Sequence, residues 1–203
     1  MTLALYDAPR SNNCRKVRLV AAELGVALDL HRLDFAKGEA QSAEYRAKNP
    51  NGKIPTLIDG DFVLWESAAI LYYLAARHPE GGLVPSDPRA RATLDQWMFW
   101  WTAHAEEAFA SLNFERRVKQ WLGLGTPEPT LIAAAERQLR RFLPILDRQL
   151  DGKQHVLHAL SLVDFYMAPT LEMAAGLEVD LAPYPHIVAW LARLTARPYW
   201  ATA

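Results

Sequence analysis

The hydrophobic and polar positions of this 203-residue chain change rhythm at a stretch rich in proline and glycine, residues 77–88. Before it, two periods alternate. Leu3-Ala4-Leu5-Tyr6 is a short apolar run stopped by Asp7 and Pro9, as expected of a buried strand. Val17, Val20, Ala21 and Leu24 recur at helical spacing, and Gly25 stands where a helix C-terminal cap belongs. Residues 28–33, LDLHRL, alternate as a second strand, while residues 35–49 are polar and mixed and predict only an irregular helix. Thr56–Ile58 and Phe62–Leu64 flank Asp59-Gly60-Asp61, a hairpin signal, and Ile70, Tyr73, Leu74 and Arg77 then follow one side of a helix. The order strand, helix, strand, weak helix, hairpin, helix describes a small α/β unit.

Beyond residue 88 the pattern is helical throughout. Leu139, Phe142, Leu143, Leu146 and Leu150 make one stripe, within which Pro144 is expected to kink the helix. Ile187, Trp190, Leu191 and Leu194 make another. Ser161 and Asp164 have the spacing of a capping box, with Leu160 and Phe165 at the staple positions. Residues 94–109, LDQWMFWWTAHAEEAF, put Trp97, Trp100, Trp101 and His104 on one face and Leu94, Met98 and Phe99 on neighbouring ones. Such a helix must be covered on several sides, by its own bundle, the first domain, a second subunit or a ligand.

Composition narrows the function. Hydrophobic residues at 51% and charged residues at 22% are an ordinary globular balance. A net charge of -1 offers no basic field for nucleic acid. One cysteine permits no internal disulfide, which fits a reducing compartment. No apolar stretch approaches the roughly 18 residues of a membrane span, and the run opening MTLALYDAPR is too short for a signal peptide. A cytoplasmic protein without a metal, nucleic-acid or membrane partner is expected.

Three short stretches carry candidate chemistry. Ser11 precedes the first helix and reads first as a capping hydroxyl. The same position presents free N–H groups and partial positive charge to an anion, and a hydroxyl there can donate to a bound thiolate. Lowering a thiol pKa from about 8.5 to about 6.5 corresponds to about 2.7 kcal/mol, within reach of one charge-assisted hydrogen bond and the helix end. Cys14 admits three readings: a small core residue, a reactive thiol, or a neighbour of someone else's thiol. In NPNGKIPTL (49–57), Pro55 either starts a strand or, through a cis bond, turns the Ile54 main chain toward a peptide lying alongside. Glu66-Ser67 are either ordinary first-turn residues or a pair that holds an ammonium and a carboxylate.

In this order and at these separations, SNNCRKVRLVAAELG, NPNGKIPTLIDGDFVLWESAAILYYL, the proline-rich linker and LSLVDFYMAP make the chain resemble the cytosolic glutathione transferases over essentially its whole length. Within that family it is similar to the serine-type members, bacterial, theta- or phi-like. The resemblance implies an α/β plus all-α fold: a thioredoxin-like glutathione-binding domain (1–78), a linker (79–88) and an all-helical C-terminal domain (89–203). It implies that glutathione is the co-substrate, activated as a thiolate by Ser11, with Asn13 a candidate assistant. Gln41, Lys53, Ile54, Pro55, Glu66 and Ser67 fall at its glutathione-binding positions, and Ser161 and Asp164 at its helix-capping box. Tyr6 stands near the catalytic tyrosine of other classes and reads here as a pocket wall. Two departures are visible: Ala40-Gln41 replace the basic pair that phi-type chains often carry, and Ser11-Asn12-Asn13 does not reproduce the Ser-Ser-Cys of the zeta class. A pocket between the domains, lined by Pro9, Trp97, Trp101 and Phe114, is expected to take a small, largely apolar electrophile, as in detoxification, and a homodimer is expected. Two other readings stay open: a thiol-disulfide oxidoreductase using Cys14, and a non-enzymatic binding module on the same fold.

Overall fold

Burial alternates along Leu3–Asp7, with Leu3, Leu5 and Asp7 turned inward, and this run is β1. It is an inner strand of a four-stranded sheet ordered β2-β1-β3-β4. β2 (Leu28–Arg32) pairs parallel to β1, β3 (Thr56–Asp59) antiparallel to β1, and β4 (Phe62–Trp65) antiparallel to β3. The computed structural model describes residues 3–35 and 37–203. They divide into two units, Met1–Val84 with Pro198–Ala203, and Pro85–Arg197.

In the first unit α1 (Asn12–Glu23) turns Cys14, Val17, Val20 and Ala21 inward. It packs against α3 (Ser67–Arg77), which buries Ile70, Leu71 and Leu74. Gly25, one residue past the α1 cap, has φ +67°, a conformation that a Cβ disfavours. The irregular helix expected over 35–49 consists of a 3-10 turn at Glu39–Gln41 and the one-turn α2 (Ala43–Arg46); Ala36 lies outside the described residues. The last six residues group with this unit. Trp200 is 2% exposed, Arg15 donates to its carbonyl at 3.1 Å, and Tyr199 donates to Glu23.

The second unit is helical. Its first long run comprises α4 (Pro88–Trp100), a π-helical segment Trp101–Glu106, α5 (Glu107–Asn113), a second π-helical segment Phe114–Val118, and α6 (Lys119–Leu122). A π turn takes an extra residue, so the apolar face expected over 94–109 shifts around the axis within it. Trp101 ends up fully buried while Phe99 is 72% exposed. α7 (Pro129–Leu150) continues through Pro144 without a break and buries Leu139, Leu143, Leu146 and Leu150. α8 (Leu162–Glu172) is buried nearly all round, and α9 (Pro185–Thr195) buries Ile187, Trp190 and Leu194.

The capping box at the start of α8 is closed. Asp164 Oδ2 accepts from the Ser161 N–H at 2.9 Å and its hydroxyl at 3.1 Å. Oδ1 accepts from the Val156 N–H at 3.0 Å and the Trp190 indole N–H at 2.9 Å. Burial pushes this carboxyl above its ordinary range, and those donors pull against the shift. Among the described residues no helix is long and apolar enough to cross a membrane.

Candidate active site

Sheet register gathers the three candidate stretches. Tyr6 at the end of β1 lies opposite Thr56, the first residue of β3, and Thr56 lies opposite Trp65, the last of β4. The Ser11 turn leaves β1 at this end of the sheet, Ile54-Pro55 enters β3 here, and Glu66-Ser67 follows β4 here. Strand pairing thus joins segments that are far apart in sequence.

Ser11 has extended backbone geometry (φ −78°, ψ 117°) and caps α1, its hydroxyl accepting from the Cys14 N–H at 3.3 Å. Its own N–H donates to the Ala8 carbonyl at 2.9 Å, which closes the turn. Capping engages a lone pair of the hydroxyl, so one serine can cap a helix and donate its O–H to an anion. Ser11 is half-buried. Asn13, in the first turn of α1, is exposed. Cys14 is fully buried, its thiol 3.9 Å from the Tyr6 carbonyl. Burial pushes that thiol up to about 12, against the lowering effect of the Ser11 side chain. A thiol so placed is protonated at neutral pH and closed to a substrate sulfur. Tyr6 packs its ring 5.4 Å from His31 and 5.2 Å from Tyr45.

The second stretch is held from beneath. The Ile54–Pro55 bond is cis; Pro55 is buried, Ile54 half-buried and Lys53 exposed. Tyr45, 3% exposed, donates to the Lys53 carbonyl at 2.6 Å and lies 2.8 Å from the Thr56 hydroxyl. Asn49 donates to the same two oxygens at 2.8 and 3.1 Å. The Lys53 carbonyl and Thr56 hydroxyl, on either side of Ile54-Pro55, are therefore fixed by two buried side chains. Sequence reasoning missed both. Asn49 also accepts from the Asn51 N–H at 3.1 Å, and an asparagine two residues before Asn51-Gly52 is a readable turn signal. Gln41 donates to the Gly52 carbonyl at 3.3 Å, and a Cβ on Gly52 would lie 2.7 Å from the Gln41 amide.

The third stretch carries a backbone outlier. Glu66 has φ 74° and ψ 116°, outside the left-handed helical region that non-glycine residues visit. Such a conformation costs on the order of 1–3 kcal/mol and is typical of sites where function fixes the backbone. Its side chain makes no capping bond to α3 among the described residues. Ser67, 7% exposed, is the first helical residue, so its N–H is one of those that a helix start leaves for an outside acceptor.

The expected electrophile-lining residues divide between the two units. Pro9 is exposed in the β1–α1 turn. In the helical unit Trp97 is half-buried, 5.0 Å from the Trp100 ring, and Phe114 is 42% exposed. Trp101 is fully enclosed, its indole N–H donating to Glu106 at the far end of the π-helical segment, and it presents no surface.

Comparison with known proteins identifies the family. Residues 1–76 match the family model "Glutathione S-transferase, N-terminal domain", and residues 104–198 match "Glutathione S-transferase, C-terminal domain". Glutathione S-transferase 3 of Zea mays is 30% identical over 97% of this chain and 90% of its own length. The crystal structure of glutathione transferase F7 from Populus trichocarpa superposes with a TM-score of 0.89 at 27% identity, covering 99% of this chain and 97% of that one. A glutathione transferase homologue from Sulfitobacter, crystallised with bound glutathione, gives 0.83 at 28% identity over 99% and 96%. The chain belongs to the glutathione S-transferase family, with a thioredoxin-like N-terminal domain and a helical C-terminal one.

Proposed function

We propose that this protein binds glutathione at the β1, β3 and β4 end of its sheet and stabilises it as a thiolate through Ser11 for addition to small, largely apolar electrophiles. The observation that carries the reading is the Tyr6–Thr56–Trp65 register, which gathers a hydroxyl at a helix start, the Ile54 main chain and an uncapped helix start on one sheet end. Each part has a task. The Ser11 hydroxyl donates to the sulfur while the α1 start supplies partial positive charge. The Ile54 main chain pairs with the cysteinyl unit, and Lys53 reaches the glycine end beside Gln41. The Ser67 N–H and hydroxyl hold the γ-glutamyl carboxylate, and Glu66 its ammonium. Holding the thiolate in one orientation turns the attack into a positioned encounter, and no covalent protein intermediate is needed. Asn13, two residues on and exposed, is the candidate assistant.

On this reading Trp97 and Phe114 are the aromatic groups of the helical unit offered to the electrophile. The same proposal includes a cytoplasmic homodimer, for which Phe99 on α4 and Phe62 and Trp65 on edge strand β4 supply apolar surface. The oxidoreductase alternative requires an accessible Cys14 thiolate, and the fully buried thiol argues against it. The test compares conjugation of a chromogenic aryl halide by Ser11→Ala and Cys14→Ala. Ser11→Ala is expected to lose about two orders of magnitude in kcat/KM at neutral pH while still binding S-methylglutathione, and Cys14→Ala to stay within a few-fold of the parent. The reverse pattern would replace Ser11 by Cys14 as the reacting group's partner.

A further inference from the structure

The buried end of β1 holds a charged group that the proposed thiolate chemistry does not use. Asp7 is 1% exposed. One carboxylate oxygen pairs with the Arg18 guanidinium, and the other is buried without a hydrogen bond from any described residue. Arg18 lies two turns into α1, on the Ser11 side of the helix. Its second nitrogen reaches the Pro9 carbonyl at 3.4 Å. The guanidinium therefore joins the last residue of β1 to the turn that delivers Ser11. That turn is otherwise closed by the Ser11 N–H on the Ala8 carbonyl, 2.9 Å, and anchored by the Leu33 N–H on the Asp7 carbonyl, 3.0 Å.

A bare carboxylate in this place would oppose any anion at the start of α1, and a lone guanidinium would favour it. We propose that Asp7 and Arg18 are positioning residues that act as opposed charges on the glutathione sulfur, Arg18 cancelling Asp7 while it ties down the Ser11 turn. The inference rests on the reading that places that sulfur at Ser11. A neighbouring sulfur already registers both charges: at Cys14, Asp7 raises the thiol pKa and Arg18 lowers it. Surrounding elements contribute other groups. On α1, Arg15 is committed to the Trp200 carbonyl and Lys16 is fully buried. Arg32 lies opposite Asp7 on β2 but is exposed, as is Arg10 in the turn. Tyr6 packs edge-on against Tyr45 of α2, their ring centroids 5.2 Å apart. Buried Asp7 and half-buried Arg18 are thus the charged pair that bridges the β1 end to the Ser11 turn.

The sign of the effect separates this role from simple scaffolding. Asp7→Asn keeps the shape and a hydrogen-bond acceptor but leaves Arg18 unopposed. The thiol pKa of bound glutathione, read from thiolate absorbance against pH, is expected to fall by about half a unit or more. Arg18→Met is expected to raise it by about one unit, and the double variant Asp7→Asn/Arg18→Met to return it close to the parent value. A scaffold alone would loosen the Ser11 turn in every variant and move the pKa upward in all three. An unchanged or raised pKa in Asp7→Asn overturns the inference, even if Arg18→Met fails to fold. If S-methylglutathione binds and the parent thiol titrates low while Asp7→Asn has no effect, only the charge pair is refuted. If neither glutathione nor its S-methyl form binds the parent protein, both readings fall.

Discussion

Ser11 and Ser161 each cap the start of a helix longer than ten residues, and they have opposite surroundings. Ser161 at α8 is 2% exposed and locked by Asp164, which accepts both its N–H and its hydroxyl. Asp164 reaches further, to the Val156 N–H and the Trp190 indole, so the cap ties α8 to α9 and to the preceding loop. Ser11 at α1 is half-buried and accepts a single 3.3 Å bond from Cys14. No carboxylate stands at its third helical position, which is Cys14 itself. A closed cap spends its groups on the fold; an open one keeps an O–H and a helix end for a visitor. The residue type is the same, and its neighbours decide the role.

The comparison predicts that damage at the two caps falls on different measurements. Asp164→Ala strands four buried hydrogen-bond donors and is expected to cost about 3–4 kcal/mol in urea unfolding. The variant's folded fraction should keep the parent's glutathione affinity, because the change lies in the other unit. Ser161→Ala removes one hydroxyl and leaves Asp164 on the remaining donors, with about 1 kcal/mol expected. Ser11→Ala should be the mildest of the three for stability, about 0.5–1 kcal/mol by the same denaturation, since water can reach the exposed helix start. A larger loss there than at Ser161 would mean that the open cap is a structural element after all.

Much of this was legible along the chain because it is written in local patterns. Asp59-Gly60-Asp61 specifies its hairpin through the turn, where Gly60 takes φ +63°. Val17, Val20 and Ala21 mark the inner face of α1 by spacing alone, and Ser161 with Asp164 announces its own cap. What escaped depends on contacts between distant residues. Asp7 and Arg18 are 11 positions apart, and only the turn from β1 into α1 makes them a pair. Tyr45 looked like one aromatic in a polar stretch until the fold set its hydroxyl on Lys53 and Thr56. The π-helical segments escaped for another reason: an i→i+5 turn leaves the apolar positions close to a helical period, and Trp101 reads as a pocket-lining aromatic although its indole is enclosed against Glu106. Glu66 is a glutamate in a conformation that glycine usually takes, and its letter gives no hint of that.

The central claim is that Ser11 stabilises the glutathione thiolate, and the most direct test is the pKa of the bound thiol. Titrated by thiolate absorbance at saturating glutathione, the parent protein is expected to show a pKa about two units below the free-thiol value of about 8.5, and Ser11→Ala a pKa close to that of the free thiol. A bound thiol that titrates equally low in both proteins would contradict the account and leave Ser11 a helix cap alone.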